Sequence, residues 1–259
     1  MQADFRFDGA VALVTGGARG IGRGVAEAFL QSGATVVICG RSAPDELPAA
    51  AGHLARFMAC DVRDPEAIAG MFARVGTEYG RLDVLVNNAG GTPPAPAAAA
   101  SPRLSERVIQ LNLLGPLHCA QAANRLMQQQ EEGGSIINIA SVAGTRPSPE
   151  TAAYGAAKAG LLSLTESLAM EWGPKVRVNA IIAGLIDTGQ SEDHYGGAEG
   201  VKRIDAMLPL KRMGRPADIA AACLYLASPL AAYVSGARLA VHGGGERPVF
   251  LYLAEMQRG

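Results

Sequence analysis

Tyr154 and Lys158 stand four residues apart in a stretch, 151–172, whose pattern predicts a helix. That spacing puts both side chains on one helical face. A phenol ordinarily titrates near about 10, too high for proton transfer near neutrality. A neighbouring ammonium favours the phenolate and lowers that value. Such a pair can serve as a general acid in a reduction or as a base in an oxidation. Ser141 follows a predicted strand, 135–140, and precedes Tyr154 by thirteen residues. A hydroxyl there can hold a substrate oxygen and stabilise charge developing on it. Alone, each has an ordinary reading, as a surface pair or a turn serine. Their occurrence together, after a strand and on a helix, is what points to proton-transfer chemistry.

A second cluster lies near the N-terminus. The apolar run 11–15 leads into Thr15-Gly16-Gly17-Ala18-Arg19-Gly20-Ile21-Gly22, and a helical pattern follows through about residue 31. Glycines permit positive φ and let backbone approach a pyrophosphate. The helix behind them turns its free amides and positive dipole end toward that anion. The spacing Gly16, Gly20, Gly22 is GxxxGxG, distinct from the GxGxxG of other dinucleotide sites.

The elements that must hold these groups alternate. Runs at 11–15, 35–39, 53–60, 82–87, 135–140, 176–182 and 237–241 read as strands. Helices are predicted after the glycine turn, from Asp64-Pro65, over 104–130 with a bend or interruption at Gly115-Pro116, over 151–172 and over 216–227. Asp64 reads as an N-cap with Pro65 at the first helical position. Residues 91–102, rich in alanine and proline, read as a surface loop, and 185–210 as a polar, mobile segment. Strands alternating with helices predict an α/β fold, a doubly wound parallel sheet covered on both faces. Ligands of such sheets bind at the carboxyl ends of the strands. No composition break or repeat divides the 259 residues, so one dinucleotide-binding domain is expected.

These motifs, in this order, resemble the short-chain dehydrogenase/reductase family, and in particular its 3-oxoacyl-[acyl-carrier-protein] reductases. The match runs from about Gly9 to Gly244. Thr15-Gly16-x-x-x-Gly20-x-Gly22 is similar to the family's cofactor motif, and Asn87-Asn88-Ala89-Gly90 to its second motif. Asn112, Ser141, Tyr154 and Lys158 match its catalytic positions. The resemblance implies that Asn112 holds a water relaying protons to Lys158, and that Lys158 binds the nicotinamide ribose. It also implies that Asp61 and Val62 flank the adenine, that Ile186 and Thr188 meet the nicotinamide carboxamide, and that Gly184 borders the cofactor. Two departures stand out: Ala183 where the family usually has proline, and His242 where it commonly has an acidic residue.

The nicotinamide can be chosen from the residues. NAD enzymes carry a carboxylate after the second strand for the ribose 2′-hydroxyl. Here Cys39-Gly40-Arg41-Ser42 has none, and Arg19 stands in the glycine turn. Two guanidinium groups suit a 2′-phosphate, so NADP(H) is favoured, with NAD(H) possible. Asp45 and Glu46 lie near enough to blunt the preference.

The net charge of -1 gives no reason to expect nucleic acid. Cys39, Cys60, Cys119 and Cys223 are scattered and read as small buried hydrophobes. His53, His118, His194 and His242 lack metal-ligand spacing, so no metal is expected. No run spans a bilayer and no apolar leader is present, so the cytoplasm is the expected location. The resemblance implies a homotetramer or homodimer. The apolar run 249–253 is expected to pack on a neighbouring subunit or close the substrate cleft. The expected activity is a ketoreductase for a 3-oxoacyl thioester or related β-keto compound. The alternatives are a dehydrogenase of a hydroxylated small molecule and a non-catalytic NADP(H)-binding protein. Residues 92–102, 142–150 and 185–210, with Arg146, His194 and Tyr195, are the places to look for substrate contacts.

Overall fold

The computed structural model describes residues 5–189, 196–246 and 248. The core is a seven-stranded parallel sheet built on β1 (Val11–Thr15), β2 (Thr35–Gly40), β5 (Arg56–Ala59), β6 (Val84–Asn87), β7 (Gly134–Ser141), β8 (Val176–Ala183) and β9 (Arg238–Val241). Its order is β5-β2-β1-β6-β7-β8-β9. The chain runs outward from β1 in one direction and then returns to start again at β6. That reversal creates the crevice in which open α/β sheets bind ligands.

Period-two patterning divides the core. Leu13, Val37, Leu85, Ile136 and Val178 face a layer containing α2 (Pro65–Tyr79) and α4 (Gly115–Met127). Val14, Val36, Ile38, Val86, Ile137 and Ile181 face α1 (Gly20–Gln31) and α7 (Pro216–Ala227). Because both faces are covered, the strands read as continuous apolar runs. Phe29 of α1 is 0% exposed and meets Phe7 edge-on, with ring centroids 5.1 Å apart. Phe29→Ala is expected to cost about 3–5 kcal/mol. Chemical denaturation should show a lower midpoint with an unchanged slope.

Helix α2 starts as expected: the Asp64 side chain accepts from Glu66 and Ala67 amides, and Pro65 opens the helix. All four cysteines are buried and free. Residues 91–101 carry no regular element before α3 (Pro102–Ile109).

Three expectations are corrected or sharpened. The predicted strand 53–60 is broken. Ala51 and Gly52 take left-handed φ of 50° and 78°, turning the chain into a small antiparallel hairpin of β3 (Ala49–Ala50) and β4 (His53–Leu54). Only β5 joins the main sheet. The predicted helix 104–130 is interrupted at Gly115-Pro116, one of the two expected outcomes, and the interruption takes the form of a π turn over Gln110–Leu114 between α3 and α4. Pro116 has no amide to return to the Asn112 carbonyl four residues earlier, and its ring crowds that carbonyl. The chain absorbs this by widening one turn: Gly115 donates to Gln110 O, five residues back. Within 185–210 the structure forms a helix, α6 (Gly197–Met207). His194, Tyr195 and the run 249–253 lie outside the described residues.

Candidate active site

The site is built at the carboxyl edge of β1, β6, β7 and β8. Thr15 ends β1 and is 2% exposed. Its hydroxyl accepts from the Asn88 and Ala89 amides, both at 3.0 Å, and donates to Val86 O. The Asn88 side-chain amide donates to Thr15 O at 2.9 Å and Gly16 O at 3.2 Å. The two strands that flank the chain reversal are thus locked together at the glycine turn. Gly16 has φ 65° and Gly20 φ 52°. A Cβ on Gly22 would stand 2.3 Å from Gly16 O. Gly20 lies against Thr188, whose Cγ2 would be 3.2 Å from an added Cβ. That contact brings the segment after β8 over the turn.

On the other side of the crevice, α5 (Ala152–Trp172) carries Tyr154 and Lys158. The 3-10 turn Val142–Gly144 after Ser141 is pressed onto this helix: a Cβ on Gly144 would meet Lys158 C at 2.7 Å, and one on Gly155 would meet Ala143 O at 3.0 Å. The two glycines set how near Ser141 comes to Tyr154. Ser141 Oγ accepts from the Ala143 amide at 3.2 Å. Lys158 is 3% exposed and donates to Ile139 O at 2.8 Å. Its Nζ lies 5.6 Å from the centroid of the half-buried Tyr154 ring.

Asn112 sits in the π turn and is 0% exposed. Its Oδ1 accepts from the Gly91 amide, and its Nδ2 donates to Gly91 O and Val108 O, all at 2.9 Å. The side chain therefore fastens the loop after β6. Gly90 is squeezed between Asn112 Oδ1 and Lys158 Nζ, at 2.7 and 3.3 Å from a built Cβ. Asn112, Gly90, Lys158, Tyr154 and Ser141 form one contiguous constellation. Beneath it, Asn87 donates to Asn138 Oδ1 and Asn138 donates to Thr165 Oγ1, both at 2.9 Å. This buried polar ladder ties β6, β7 and α5 under the site. Sequence reasoning missed it; polar residues inside otherwise apolar strands were the available signal.

The electrostatics differ from the expected ones. Burial raises the Tyr154 phenol above its ordinary value, with the Ser141 hydroxyl pulling it back. Lys158 does not set it. Burial takes the Lys158 ammonium down to about 8. Both groups are pushed toward their neutral forms because the pocket withholds water from either charge. A linked stability effect follows. The unfolded lysine titrates near about 10.4. Below about 8 the folded protein bears the full cost of a buried ammonium. Between about 8 and about 10.4 the unfolded chain holds the extra proton, so stability rises with pH. Lys158→Met removes this term. Its stability advantage over the wild type should shrink by about 3 kcal/mol between pH 7 and 10.4, read from denaturant melts. A gap that does not change with pH would refute the buried-ammonium account.

The remaining candidates fall around the crevice. Arg19 is exposed at the N-cap of α1, which has no side-chain cap and no acid in its first turn. Ile21 packs against the core cluster under α1. Arg41 is exposed just past β2, and neither arginine joins an ion pair among the described residues. Asp61 is held low mainly by the Arg63 guanidinium, with Arg41 adding to the pull. Val62 is buried, and its carbonyl faces Gly115. Gly184 donates to Val241 O and packs on His242. Ile186 bridges to Gly214. Gly184 leaves His242 room at the place where the family commonly has an acid.

These features fit a dinucleotide. An uncapped helix N-terminus behind two left-handed glycines suits a pyrophosphate. The buried Lys158 ammonium has three donors and one acceptor among the described residues, which leaves hydrogens for ribose hydroxyls. Among the described residues no group of three or more His, Cys, Asp or Glu is placed to hold a metal ion. No described helix is long and apolar enough to cross a membrane.

Fold and site together define an oxidoreductase of the doubly wound nicotinamide type, and the comparisons give its family. Residues 16–246 match the family model described as enoyl-(acyl carrier protein) reductase. The chain is 40% identical over 246 residues to an uncharacterized oxidoreductase, MT0954, of Mycobacterium tuberculosis, covering 93% of each. It is 37% identical to the D-threitol dehydrogenase of Mycolicibacterium smegmatis, over 93% of this chain and 94% of that one. The ligand-free aldohexose dehydrogenase of Thermoplasma acidophilum superposes with a TM-score of 0.86 at 30% identity, over 93% of this chain and 94% of that one. The chain belongs to the short-chain dehydrogenase/reductase family, whose members use a nicotinamide cofactor, NAD(H) or NADP(H).

Proposed function

We propose that this protein exchanges a hydride between NADP(H) and a small-molecule ketone or secondary alcohol. The convergence of Ser141, Tyr154 and Lys158 on the crevice beside the glycine turn carries this reading. The nicotinamide, when bound, supplies or accepts the hydride. Ser141 holds the substrate oxygen. Tyr154, kept protonated by burial, gives that oxygen a proton in reduction and takes it back in oxidation. Lys158 holds the ribose hydroxyls and keeps a positive charge near the phenol. Asn112 fixes the loop carrying Gly90 and supports the proton path from Lys158. The α1 amides from Gly20 to Gly22 hold the pyrophosphate. Asn88, Ala89, Gly90 and Gly184 border the nucleotide, Asp61 and Val62 flank the adenine, and Ile186 and Thr188 orient the carboxamide.

Arg19 and Arg41, unpaired among the described residues, take the 2′-phosphate where no carboxylate ends β2. Arg41→Ala should lower kcat/KM for NADPH by about 10- to 100-fold and leave NADH nearly unchanged, since each charge-assisted bond contributes about 1.5–3 kcal/mol. A variant that loses both cofactors equally refutes the 2′-phosphate assignment.

The family resemblance favours a 3-oxoacyl thioester or related β-keto compound. A specific observation supports the second reading, a dehydrogenase of a short hydroxylated molecule. A cavity of about 70 Å³ borders Tyr154 and is lined by Thr92, Ser105, Thr151 and Glu150 among apolar neighbours. It has the size for a molecule of a few carbons, and these four lining residues carry groups that can hydrogen-bond hydroxyls. A homo-oligomer in the cytoplasm, one domain per chain, is the assembly that goes with this function. Following NADPH and NADH consumption, and NADP⁺ reduction, against thioesters, ketones and polyols tests the reading. If neither cofactor reacts with any of them, the non-catalytic alternative stands.

A further inference from the structure

Glu150 occupies a backbone conformation that its residue type rarely adopts. Its φ is 62°, and Ala51 and Lys211 are the other non-glycine residues with positive φ among those described. Glycine reaches this region freely, whereas a side chain there crowds the following carbonyl. Strain of this kind persists where the surroundings fix it and is concentrated at functional sites. The surroundings do fix it. The Glu150 carbonyl accepts from the Ala95 amide at 2.7 Å, joining the loop after β6 to the loop before α5. Those two loops and α3 close the cavity that borders Tyr154. The Glu150 carboxylate is exposed and has no ion-pair partner among the described residues. The nearby Arg146 is engaged with Glu246 at 2.5 Å. Glu150 thus lines the cavity beside the proton donor, four residues before it, and carries an exposed carboxylate without an ion-pair partner among the described residues.

The geometry points to Glu150 as a specificity-determining residue that accepts a hydrogen bond from a substrate hydroxyl next to the reacting carbon, selecting neutral polyols or hydroxyketones over anionic or unsubstituted compounds. This rests on the oxidoreductase reading above. A hydroxyl donating to a carboxylate makes a charge-assisted bond, roughly twice as strong as a neutral one. A substrate carboxylate or phosphate in the same place meets like charge. A substrate without the hydroxyl leaves the carboxylate with water and gains nothing.

The test compares the intact wild type with Glu150→Gly and Glu150→Gln on a four-carbon polyol and on 2-butanol, with NADP⁺ and NAD⁺. Thermal melting is measured alongside. Glu150→Gly relieves the backbone and removes the acceptor. Its melting temperature should hold or rise, while kcat/KM on the polyol falls about 10- to 100-fold and on 2-butanol stays the same. Glu150→Gln keeps an acceptor without the charge and should fall between. Equal loss on both alcohols, or no loss on the polyol, overturns the assignment. A wild type active on 3-oxoacyl thioesters and inert to polyols overturns it as well, while leaving the oxidoreductase reading in place. A wild type inert to every substrate with either cofactor overturns both.

Discussion

Tyr154→Phe abolishes most turnover while nucleotide binding persists. The expected loss in kcat is on the order of 10²–10⁴-fold, the range for removing a positioned general acid. The substitution deletes one oxygen. The ring remains on α5, where Lys158 Nζ lies 5.6 Å from its centroid, and the apolar lining is unchanged. Ser141 keeps its bond from the Ala143 amide, and Lys158 keeps its bond to Ile139 O. The measurement pairs steady-state rates with fluorescence titration of NADPH. Undiminished turnover in the variant would move the proton-transfer role away from Tyr154. Lost binding together with lost turnover would mean that the phenol holds the nucleotide site open, and the rate effect would then carry no mechanistic weight.

Gly22→Ala is expected to damage the nucleotide site and the fold together. Two effects oppose each other. Alanine inside a helix is better than glycine by about 1 kcal/mol. Against that, the new Cβ would lie 2.3 Å from Gly16 O, 2.5 Å from Asn88 Nδ2 and 2.9 Å from Gly16 C. Two of these atoms are backbone, and the third is held by two hydrogen bonds to Thr15 O and Gly16 O. Neither side can yield without opening the glycine turn between β1 and α1, which Asn88 clamps at the end of β6. The clash therefore wins, with an expected net destabilisation of about 1–3 kcal/mol and about a hundredfold weaker NADPH binding. Gly70→Ala in α2 is the control. Nothing lies within 4 Å of its Cβ, so it should stabilise by about 0.5–1 kcal/mol. Denaturant melts and nucleotide titration of the two variants give the comparison. If both variants gain stability and both bind NADPH normally, close packing at Gly22 is not what shapes the site.

The parts legible in the sequence were those governed by short-range rules. Strands buried on both faces appear as runs such as Val-Ala-Leu-Val-Thr at 11–15, and α2 announced itself through Asp64-Pro65. The helical separation of Tyr154 and Lys158 followed from counting residues. The lost parts depended on long-range competition. The break in 53–60 required knowing that β5 alone pairs with β2 while Ala51 and Gly52 turn the chain before it. The π turn at Asn112 reflects Pro116, whose missing amide leaves the chain to widen one turn so that Gly115 bonds Gln110 O five residues back. The direction of the Tyr154 shift was misjudged from the Lys158 spacing. Spacing gives proximity, whereas the pocket's exclusion of water sets the sign.

By itself the sequence determined which residue types were present for chemistry, the order of strands and helices, and the absence of a carboxylate after β2. These are local properties, carried by side-chain type and by periods of two and 3.6 residues. Only the tertiary structure decided that Asn88 would clamp the glycine turn, that Asn112 would be spent fastening Gly91, and that Lys158 would be buried down to a value of about 8. It alone placed Glu150 in a left-handed conformation on the wall of the cavity beside Tyr154. The physical reason is common to all of these. Each depends on atoms from segments far apart in the chain meeting where water is excluded, and both the distances and the dielectric arise only when the sheet closes around them.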